Sequence, residues 1–308
     1  MIVVAGESLI DLVPQHPGDP LGPLSPRPGG GPYNTAVALG RLGARVAFCS
    51  RVSTDGFGEA LLGGLAAAGV DTSLVQRGPE PTTLTVAAVG LDGSAGYGFY
   101  ADGTADRLFE LPPQLPPQAT ALSLGTCSLV LEPGASAYEA LLRRESGRGL
   151  LTLLDPNIRP PLIPDADAYR ARFRSWLPYV SLLKLSEEDA AWLGGTVEEW
   201  LEMGPRAVVV TRGAAGLSVH TAQGATYAVP AERVEIVDTI GAGDTVNAAL
   251  LRHVPTASAL PAADWPRVLR YAARAGALTC ARRGAQPPTA EEVRAAFSSG
   301  PAQFPAHP

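Results

Sequence analysis

The chain has 308 residues, 46% of them hydrophobic, which is enough to bury a sizeable core in one large globular domain or two small ones. The net charge is −6 at pH 7 and there is no basic block, which argues against nucleic acid as a partner. No apolar run could span a bilayer, and the N-terminus lacks the basic region and cleavage site of a secretory signal, so neither a membrane anchor nor export is expected.

The cysteines indicate the cellular location of the protein, and the lysine content draws attention to Lys184. Cys49, Cys127 and Cys280 are too scattered for a metal motif or a disulfide framework, so a reduced cytoplasm is the expected location. Lys184 is the single lysine among 24 basic residues. Because lysine and arginine are not interchangeable, Lys184 is either required as lysine or a chance survivor on the surface.

Extended segments and a long loop open the chain. Residues 2–5 form an apolar run typical of a buried strand, and residues 8–13 continue extended around one polar residue, Asp11. Residues 14–32 are dense in proline and glycine. That composition excludes regular secondary structure and indicates either a flexible insertion or part of a lid.

A glycine-rich stretch precedes the first predicted helix. Gly29, Gly30 and Gly31 are followed by Asn34, and residues 35–42 have a helical pattern. One interpretation of Asn34 is a helix cap, which is a position that asparagine favours.

A small β-sheet is predicted beside this helix. Residues 82–91 and 97–100 read as strands on either side of a turn at residues 92–93. Together with the proline-rich loop they predict a β-sheet lid, built from segments at about 12–32 and 82–106.

From residue 120 onward, predicted strands alternate with helices. The strands cover residues 121–124, 150–154, 180–184 and 207–210. Such alternation predicts three layers, α/β/α, with a mostly parallel central sheet and helices on both faces. Ligands of such sheets bind beyond the carboxyl ends of the strands. Polar clusters begin at three of these ends, over residues 155–160, 184–189 and 211–216.

The most informative stretch follows a predicted strand at residues 233–237. Gly241 and Gly243 permit backbone angles that other residues avoid, and a helix is predicted to begin here. The unpaired amides of Gly241, Ala242 and Gly243 would then point at one anion. Asp244 would repel that anion, so it suits a base that takes a proton from an attacking hydroxyl. The alternative is that Asp244 only caps the helix.

The C-terminal part is predicted to be helical. Residues 265–283 read as a long helix with a narrow alanine face, and residues 291–297 as a short one. Residues 298–308 are expected to form a frayed tail.

Two motifs together carry a family resemblance. D-T-I-G-A-G-D at residues 238–244, and the glycine-rich stretch that contains Asn34, resemble the two signatures of the ribokinase/PfkB family of sugar kinases. The resemblance extends from residue 1 to about residue 297 and implies one ribokinase-like α/β kinase domain. Among its members the chain is most similar to fructokinases. Ribose, 2-keto-3-deoxygluconate and nucleoside kinases remain alternatives, as does a non-catalytic sugar-binding regulator.

The resemblance implies a reaction and a catalytic base. Members transfer the γ-phosphoryl group of MgATP to a sugar hydroxymethyl group. Asp244 is the implied base, and the amides of Gly241, Ala242 and Gly243 are implied to stabilise charge on the moving phosphoryl group. Sugar binding is implied for Asp11, Gly30, Gly31, Asn34 and Asp244.

The resemblance also implies a nucleotide site. Glu187 would act on Mg²⁺ through water, and Lys184 stands where the family usually has asparagine. Its ammonium would lie near the phosphates, unless Lys184 and Glu187 merely begin an exposed helix. The implied ATP-binding residues are Lys184, Glu187, Thr211, Gly213, Gly216, Gly241 and Gly243.

Three further implications remain open. The loop at Asp238 and Ile240, paired with residues 282–285, often holds a monovalent cation such as K⁺ in this family. Lid sheets often pair across a homodimer. Many members carry an arginine that contacts sugar or phosphate soon after an aromatic pair that corresponds to residues 99–100, but Arg107 comes too late to match it.

Overall fold

The computed structural model describes residues 1–16, 19, 21–89 and 95–298. Its strands are β1 (Ile2–Ala5), β2 (Leu9–Pro14), β3 (Leu24–Gly29), β4 (Val46–Ser53), β5 (Asp71–Gly78), β6 (Leu84–Val89), β7 (Ala95–Tyr100), β8 (Ala121–Gly125), β9 (Leu151–Asp155), β10 (Leu182–Ser186), β11 (Ala207–Thr211), β12 (Leu217–Thr221) and β13 (Thr226–Val229). Its α-helices are α1 (Gly31–Arg41), α2 (Gly56–Ala67), α3 (Gly134–Gly147), α4 (Ala166–Trp176), α5 (Glu187–Leu193), α6 (Val197–Glu202), α7 (Ala242–His253), α8 (Trp265–Cys280) and α9 (Ala290–Ser298).

The larger sheet has the order β13-β12-β11-β10-β9-β8-β1-β4-β5. Every pair from β11 to β5 is parallel, whereas β12 and β13 are added antiparallel at one edge. The predicted mostly parallel sheet is therefore confirmed. The carboxyl ends of β1, β8, β9, β10 and β11 lie side by side along one edge, where ligands of such sheets bind.

Helices cover both faces of this sheet, which confirms the predicted three layers. Successive residues of a strand point to opposite faces, so Val4 packs with one hydrophobic cluster while Val3 and Ala5 pack with the other. The Val4 cluster contains residues of α1, α2, α7, α8 and α9, and the other contains residues of α3 to α6. The strands are apolar on both faces because both are buried.

A smaller sheet lies apart from the larger one, with the order β3-β2-β6-β7. β3 falls within the segment where regular structure was excluded, so that expectation is wrong. β3 is an edge strand paired antiparallel with β2, and an edge strand tolerates Pro26 and Pro28 because alternate N–H groups face away from the sheet. The turn predicted at residues 92–93 lies outside the described residues.

The strand predicted at residues 233–237 is also wrong. This segment has no regular secondary structure, and Ile236 and Val237 are 66% and 53% exposed. Its apolar residues have strand propensity, but propensity alone does not make a strand without a paired neighbour. The backbone N–H of Val237 instead donates to the carbonyl of Cys280, at the end of α8.

The two C-terminal helices are present where the sequence predicts them, but their first and last residues differ from the prediction. The long helix α8 ends at Cys280, three residues before its predicted end, and the short helix α9 begins at Ala290. Most of the predicted tail lies outside the described residues. Across the described ranges, no helix has the length and apolar character needed to cross a membrane.

Candidate active site

A cleft of about 310 Å³ opens where the carboxyl ends of the large sheet face the small sheet. The residues that line it come from widely separated parts of the chain, and they include Glu7, Asp11, Gly30, Gly31, Asn34, Thr85, Phe99, Thr126, Asn157, Arg159, Lys184, Gly241, Gly243 and Asp244. Asp11 and Thr85 reach it from the small sheet, and the helix N-termini of α1 and α7 reach it from the large one. The cleft is therefore built by the parallel topology, which brings these strand and helix ends together.

The N-terminus of α7 points at this cleft. Gly241 precedes the helix with φ 77° and ψ 0°, in the left-handed region that glycine adopts without strain. A methyl group on Gly241 would also lie 2.6 Å from the Cβ of Ala285. Both constraints require glycine. The Ala242 N–H donates to the Thr239 carbonyl at 3.3 Å, so of the three amides expected at the anion site only those of Gly241 and Gly243 have no such bond within the described residues.

Asp244 is the third residue of α7, and its side chain is almost fully buried, with 8% exposed. Its Oδ2 accepts a hydrogen bond from Asn34 Nδ2 at 2.9 Å. Burial raises the pKa of Asp244 to about 7, against the opposing hydrogen bond from Asn34, and the charge of Asp155 raises it further. The interpretation as a helix cap is wrong, because Gly241 holds the cap position and makes no side-chain bond. Such a carboxyl group can exchange a proton near neutral pH.

Lys184 lies beneath the glycine turn. It is 4% exposed, and its Nζ donates to Asp155 Oδ2 at 2.9 Å, an oxygen that also accepts from Asn247 Nδ2 at 2.7 Å. Burial lowers the pKa of Lys184, but the charge and hydrogen bond of Asp155 outweigh it and the pKa is raised. Chance survival on the surface is therefore excluded. A methyl group on Gly243 would lie 3.0 Å from this Nζ, so a fixed positive charge adjoins the helix amides.

All five residues implied for sugar binding, Asp244 among them, meet at this cleft. Gly30, with φ 102°, and Gly31 begin α1, and Asn34 lies inside that helix rather than at its cap. Asp11 accepts a hydrogen bond from the Thr85 hydroxyl of β6. Burial raises the pKa of Asp11, while the Thr85 bond and the charge of Arg159 oppose that rise.

Lys184, Gly241 and Gly243, which are implied for the nucleotide, line the cleft, whereas the other implied residues lie beside it. Ser186 and Thr211 are register partners at the ends of β10 and β11, which places Glu187 next to Thr211. The Glu187 side chain is 68% exposed, with Oε1 3.9 Å from Arg212 Nε. Gly213 and Gly216 turn the chain between β11 and β12. Glu187 begins an exposed helix, as the alternative expected, yet it faces the same edge of the sheet as the cleft.

The loop at Asp238 is joined to the loop after α8. Asp238 Oδ1 accepts from the Ile240 N–H at 3.0 Å, and Oδ2 accepts from the Gly284 N–H at 2.8 Å. The expected pairing of these loops is therefore present. The carboxylate clamps both loops against the start of α7.

Glu7 is a buried cleft residue that sequence reasoning missed. It is 1% exposed, its Oε1 accepts from the Gly31 N–H at 3.3 Å, and its Oε2 accepts from the Ser128 N–H at 3.0 Å. Burial raises its pKa to about 7. The available signal was its place just beyond β1, where a carboxylate follows an apolar strand.

Thr126 is a second cleft residue that sequence reasoning missed, and one arginine lies elsewhere. Thr126 follows β8 directly, and Asn157 belongs to a polar cluster that the sequence did identify at the end of β9. Arg107 forms an ion pair with Asp102 at 2.6 Å and also bonds to backbone carbonyls, so it does not replace the arginine that the resemblance expected.

Comparison with known proteins agrees with this architecture. The family model described as "pfkB family carbohydrate kinase" matches residues 1–292. A fructokinase from Rhizobium leguminosarum bv. trifolii is 39% identical over 259 residues, which cover 82% of this chain and 78% of that protein.

Solved structures resemble the whole chain. A fructokinase from Xylella fastidiosa with bound ATP has a TM-score of 0.87 at 29% identity, covering 97% of this chain and 98% of its own. A fructokinase from Vibrio cholerae O395 in a form with fructose, ADP and calcium ion has a TM-score of 0.84 at 28% identity, covering 96% and 97%.

Proposed function

Since the chain belongs to the pfkB family of carbohydrate kinases and is an ATP-dependent sugar kinase, we propose that fructose is its acceptor. The proposal is supported by the fructokinase relatives and by the fructose-bound structural neighbour. It is also supported by the polar lining of the cleft, where Asp11, Asn157 and Arg159 offer acceptors and donors to sugar hydroxyls.

The observation that carries the mechanism is the position of Asp244. Its buried carboxyl group lies at the start of α7, beside amides that would bind a phosphoryl group. We propose that Asp244 takes the proton of the acceptor hydroxyl while that oxygen attacks the γ-phosphorus and ADP leaves. Asn34 keeps the carboxylate pointed into the cleft through the 2.9 Å bond to Oδ2. Phosphoryl transfer needs positioning and charge stabilisation more than covalent catalysis.

The phosphoryl group would be held by backbone amides and one ammonium. The N–H groups of Gly241 and Gly243 would provide the anion site of the helix N-terminus, and the Ala242 N–H would join them by releasing the Thr239 carbonyl. The Lys184 ammonium lies against Gly243 and adds a fixed positive charge. Its attraction for the transferring phosphoryl group strengthens as that group gains negative charge.

The sugar would lie between the two sheets. Gly30 and Gly31 let its carbon chain approach the backbone at the start of α1, and Asn34 is the adjacent amide. Asp11 is held from the other side by Thr85, ready to accept from vicinal hydroxyls.

The nucleotide's metal ion would have one protein carboxylate nearby. Within the described residues, no cluster of three or more His, Cys, Asp or Glu side chains could hold a metal by itself. A single nearby carboxylate, that of Glu187, fits Mg²⁺ carried on ATP phosphates, because such an ion keeps several waters and needs only one or two carboxylates. Glu187 would orient such a water, and Thr211, Gly213 and Gly216 would flank the nucleotide. When bound, Mg²⁺ neutralises charge on the phosphates.

A monovalent cation is also proposed, at the loops around Asp238 and Ile240. The loops at Asp238, Ile240 and Gly284 are clamped together, and both oxygens of Asp238 already accept backbone N–H groups. A K⁺ ion would therefore bind to loop carbonyl oxygens. Turnover that is unchanged when tetramethylammonium replaces K⁺ would remove this ion from the account.

Cellular location and assembly remain expectations. Cys49, Cys127 and Cys280 are free thiols, which fits a reduced cytoplasm. A homodimer through the small sheet is proposed because β3 and β7 are its edge strands.

The test is a coupled assay of ADP release with MgATP and a panel of sugars. The proposal predicts the highest kcat/KM with D-fructose, ahead of D-ribose, 2-keto-3-deoxygluconate and nucleosides. A higher value for another sugar would reassign the substrate. Sugar binding without turnover of any sugar would instead indicate a non-catalytic regulator.

A further inference from the structure

Two residues beside the cleft have an unusual backbone. Among the described residues, Thr126 with φ 61° and Asn157 with φ 40° are the non-glycine residues at positive φ. Asparagine tolerates this region, but a β-branched threonine there is an outlier. Each follows the carboxyl end of a strand, β8 for Thr126 and β9 for Asn157. Strained residues that persist in folded proteins concentrate at functional sites, where the strain fixes a side-chain direction.

The two strained residues point to the same place. Asn157 Nδ2 donates to Thr126 Oγ1 at 3.3 Å, and both residues line the cleft. A methyl group on Gly31 would lie 2.5 Å from Thr126 Oγ1, 3.3 Å from Asp244 Oδ1 and 3.4 Å from Asn157 Nδ2. Polar atoms of Thr126, Asn157 and Asp244 thus converge beside Gly31, where the absence of a side chain leaves them open to the cleft. They lie close enough together for one ligand hydroxyl in the cleft to contact them.

We propose that Thr126 and Asn157 bind the acceptor hydroxyl and hold it against Asp244. This inference deepens the proposed function and rests on it. The Asn157 amide donates to one lone pair of the hydroxyl oxygen, and Thr126 Oγ1 accepts from the hydroxyl proton before Asp244 takes it, which leaves the second lone pair free to attack. The hydroxyl proton then goes to Asp244, the oxygen lone pair forms the new O–P bond, and the electron pair of the broken β–γ bridge leaves on ADP.

The positive φ of Thr126 separates this role from a structural one. Thr126→Gly removes the hydroxyl and also relieves the backbone, because glycine adopts positive φ readily. If Thr126 served only the fold, any loss of activity in this variant would follow a loss of stability, and a variant with unchanged stability would be equally active. If it binds the acceptor, stability and activity change in opposite directions.

The experiment compares Thr126→Gly and Thr126→Ser with the wild type, using D-fructose and MgATP. For Thr126→Gly, we expect a melting temperature at or above the wild type, kcat/KM for fructose at least about tenfold lower, and KM for ATP within about twofold. Thr126→Ser keeps the hydroxyl and should retain kcat/KM within about threefold. Asn157→Gly keeps the backbone conformation, loses the amide and should resemble Thr126→Gly.

Two results would overturn the inference. One is a Thr126→Gly variant whose kcat/KM for fructose lies within about twofold of the wild type. The other is a parallel loss of melting temperature, fructose kinetics and ATP kinetics. Fructose affinity, measured by calorimetry without ATP, tests the inference even if the wild type turns over no sugar. Thr126→Gly should bind fructose at least about tenfold more weakly than the wild type does. An inactive wild type would refute the proposed function, whereas an active wild type with an unaltered Thr126→Gly would refute only this inference.

Discussion

The chemistry of Asp244 is set by its immediate neighbours. Desolvation at 8% exposure favours the protonated acid, and the buried charge of Asp155 acts in the same direction. The amide of Asn34 and the ammonium of Lys184 favour the carboxylate. The balance leaves the pKa at about 7, where a general base both accepts and releases protons readily.

This balance predicts the pH dependence of turnover. Because the base must be ionised and its pKa is raised to about 7, kcat/KM for the sugar should be high above that pH and fall about tenfold per unit below it. Glu7 also has its pKa raised to about 7, so Glu7→Gln is the matched control. For Glu7→Gln, kcat/KM should still decrease below about pH 7, as in the wild type. A Glu7→Gln enzyme whose kcat/KM is constant down to pH 5 would assign the decrease to Glu7 instead.

Lys184 forms an ion pair with a second buried carboxylate, that of Asp155. Lys184→Met would leave the Asp155 charge buried with Asn247 as its remaining side-chain donor among the described residues, so the free energy of unfolding should fall by about 3 kcal/mol. Adding Asp155→Asn removes that charge and should recover most of the stability without restoring turnover. Chemical denaturation and steady-state kinetics measure the two effects. A double variant with wild-type turnover would show that the ammonium does not assist catalysis.

Among elements, the start of α7 is the most constrained. Gly241 combines a left-handed backbone with contact to Ala285, and it directs the helix amides toward the cleft. The sequence alone identified this turn, because two glycines and an acid before a helical run leave few other interpretations.

Substitution of Gly241 tests that element. Gly241→Ala should lower the free energy of unfolding by about 1–3 kcal/mol, because alanine is strained at φ 77° and its methyl meets Ala285. Turnover should fall by about 10²-fold as the amides shift. Gly63→Ala is the control, since Gly63 lies exposed within α2 with open space around it, and it should stabilise by about 0.5–1 kcal/mol. Equal behaviour of the two variants would contradict the role given to Gly241.

For two other segments, the structure predicted from the local sequence differs from the structure that the chain adopts. Residues 24–29 were excluded from regular structure by their prolines, yet they form β3 because an edge position needs only every second N–H. Residues 233–237 have the composition of a strand and form none, because no strand pairs with them. Both outcomes depend on which segments lie adjacent in space, which periodicity does not encode.

For the whole molecule, the sequence predicted the sheet and its active edge better than the site's detail. Strand–helix alternation implied that Asp155, Lys184 and Thr211 lie at one edge, and β9, β10 and β11 are indeed neighbours there. It could not reveal that Lys184 forms an ion pair with Asp155, or that Thr126 converges with Asn157, because these contacts cross between strands. The family resemblance supplied the reaction, which packing alone would not have specified.

The small sheet carries the prediction about assembly. Its edge residues Leu24 and Tyr100 are 36% and 65% exposed, and an exposed apolar edge favours pairing with a second copy. We expect a dimer in light scattering, and a monomer for the double variant Leu24→Asp/Tyr100→Asp. Tyr227→Asp, at the edge of the large sheet, is the control and should stay dimeric. A monomeric wild type would rule out the dimer.

The most direct test of the whole account is the Asp244→Asn enzyme, assayed for formation of fructose phosphate from MgATP by ³¹P NMR and for ATP affinity by calorimetry. Asparagine preserves the shape of the side chain but cannot accept the proton. We expect turnover to fall by at least about 10³-fold, with the ATP dissociation constant within about threefold of the wild type. Sugar phosphate formed at close to the wild-type rate would contradict the assignment of Asp244 as the base.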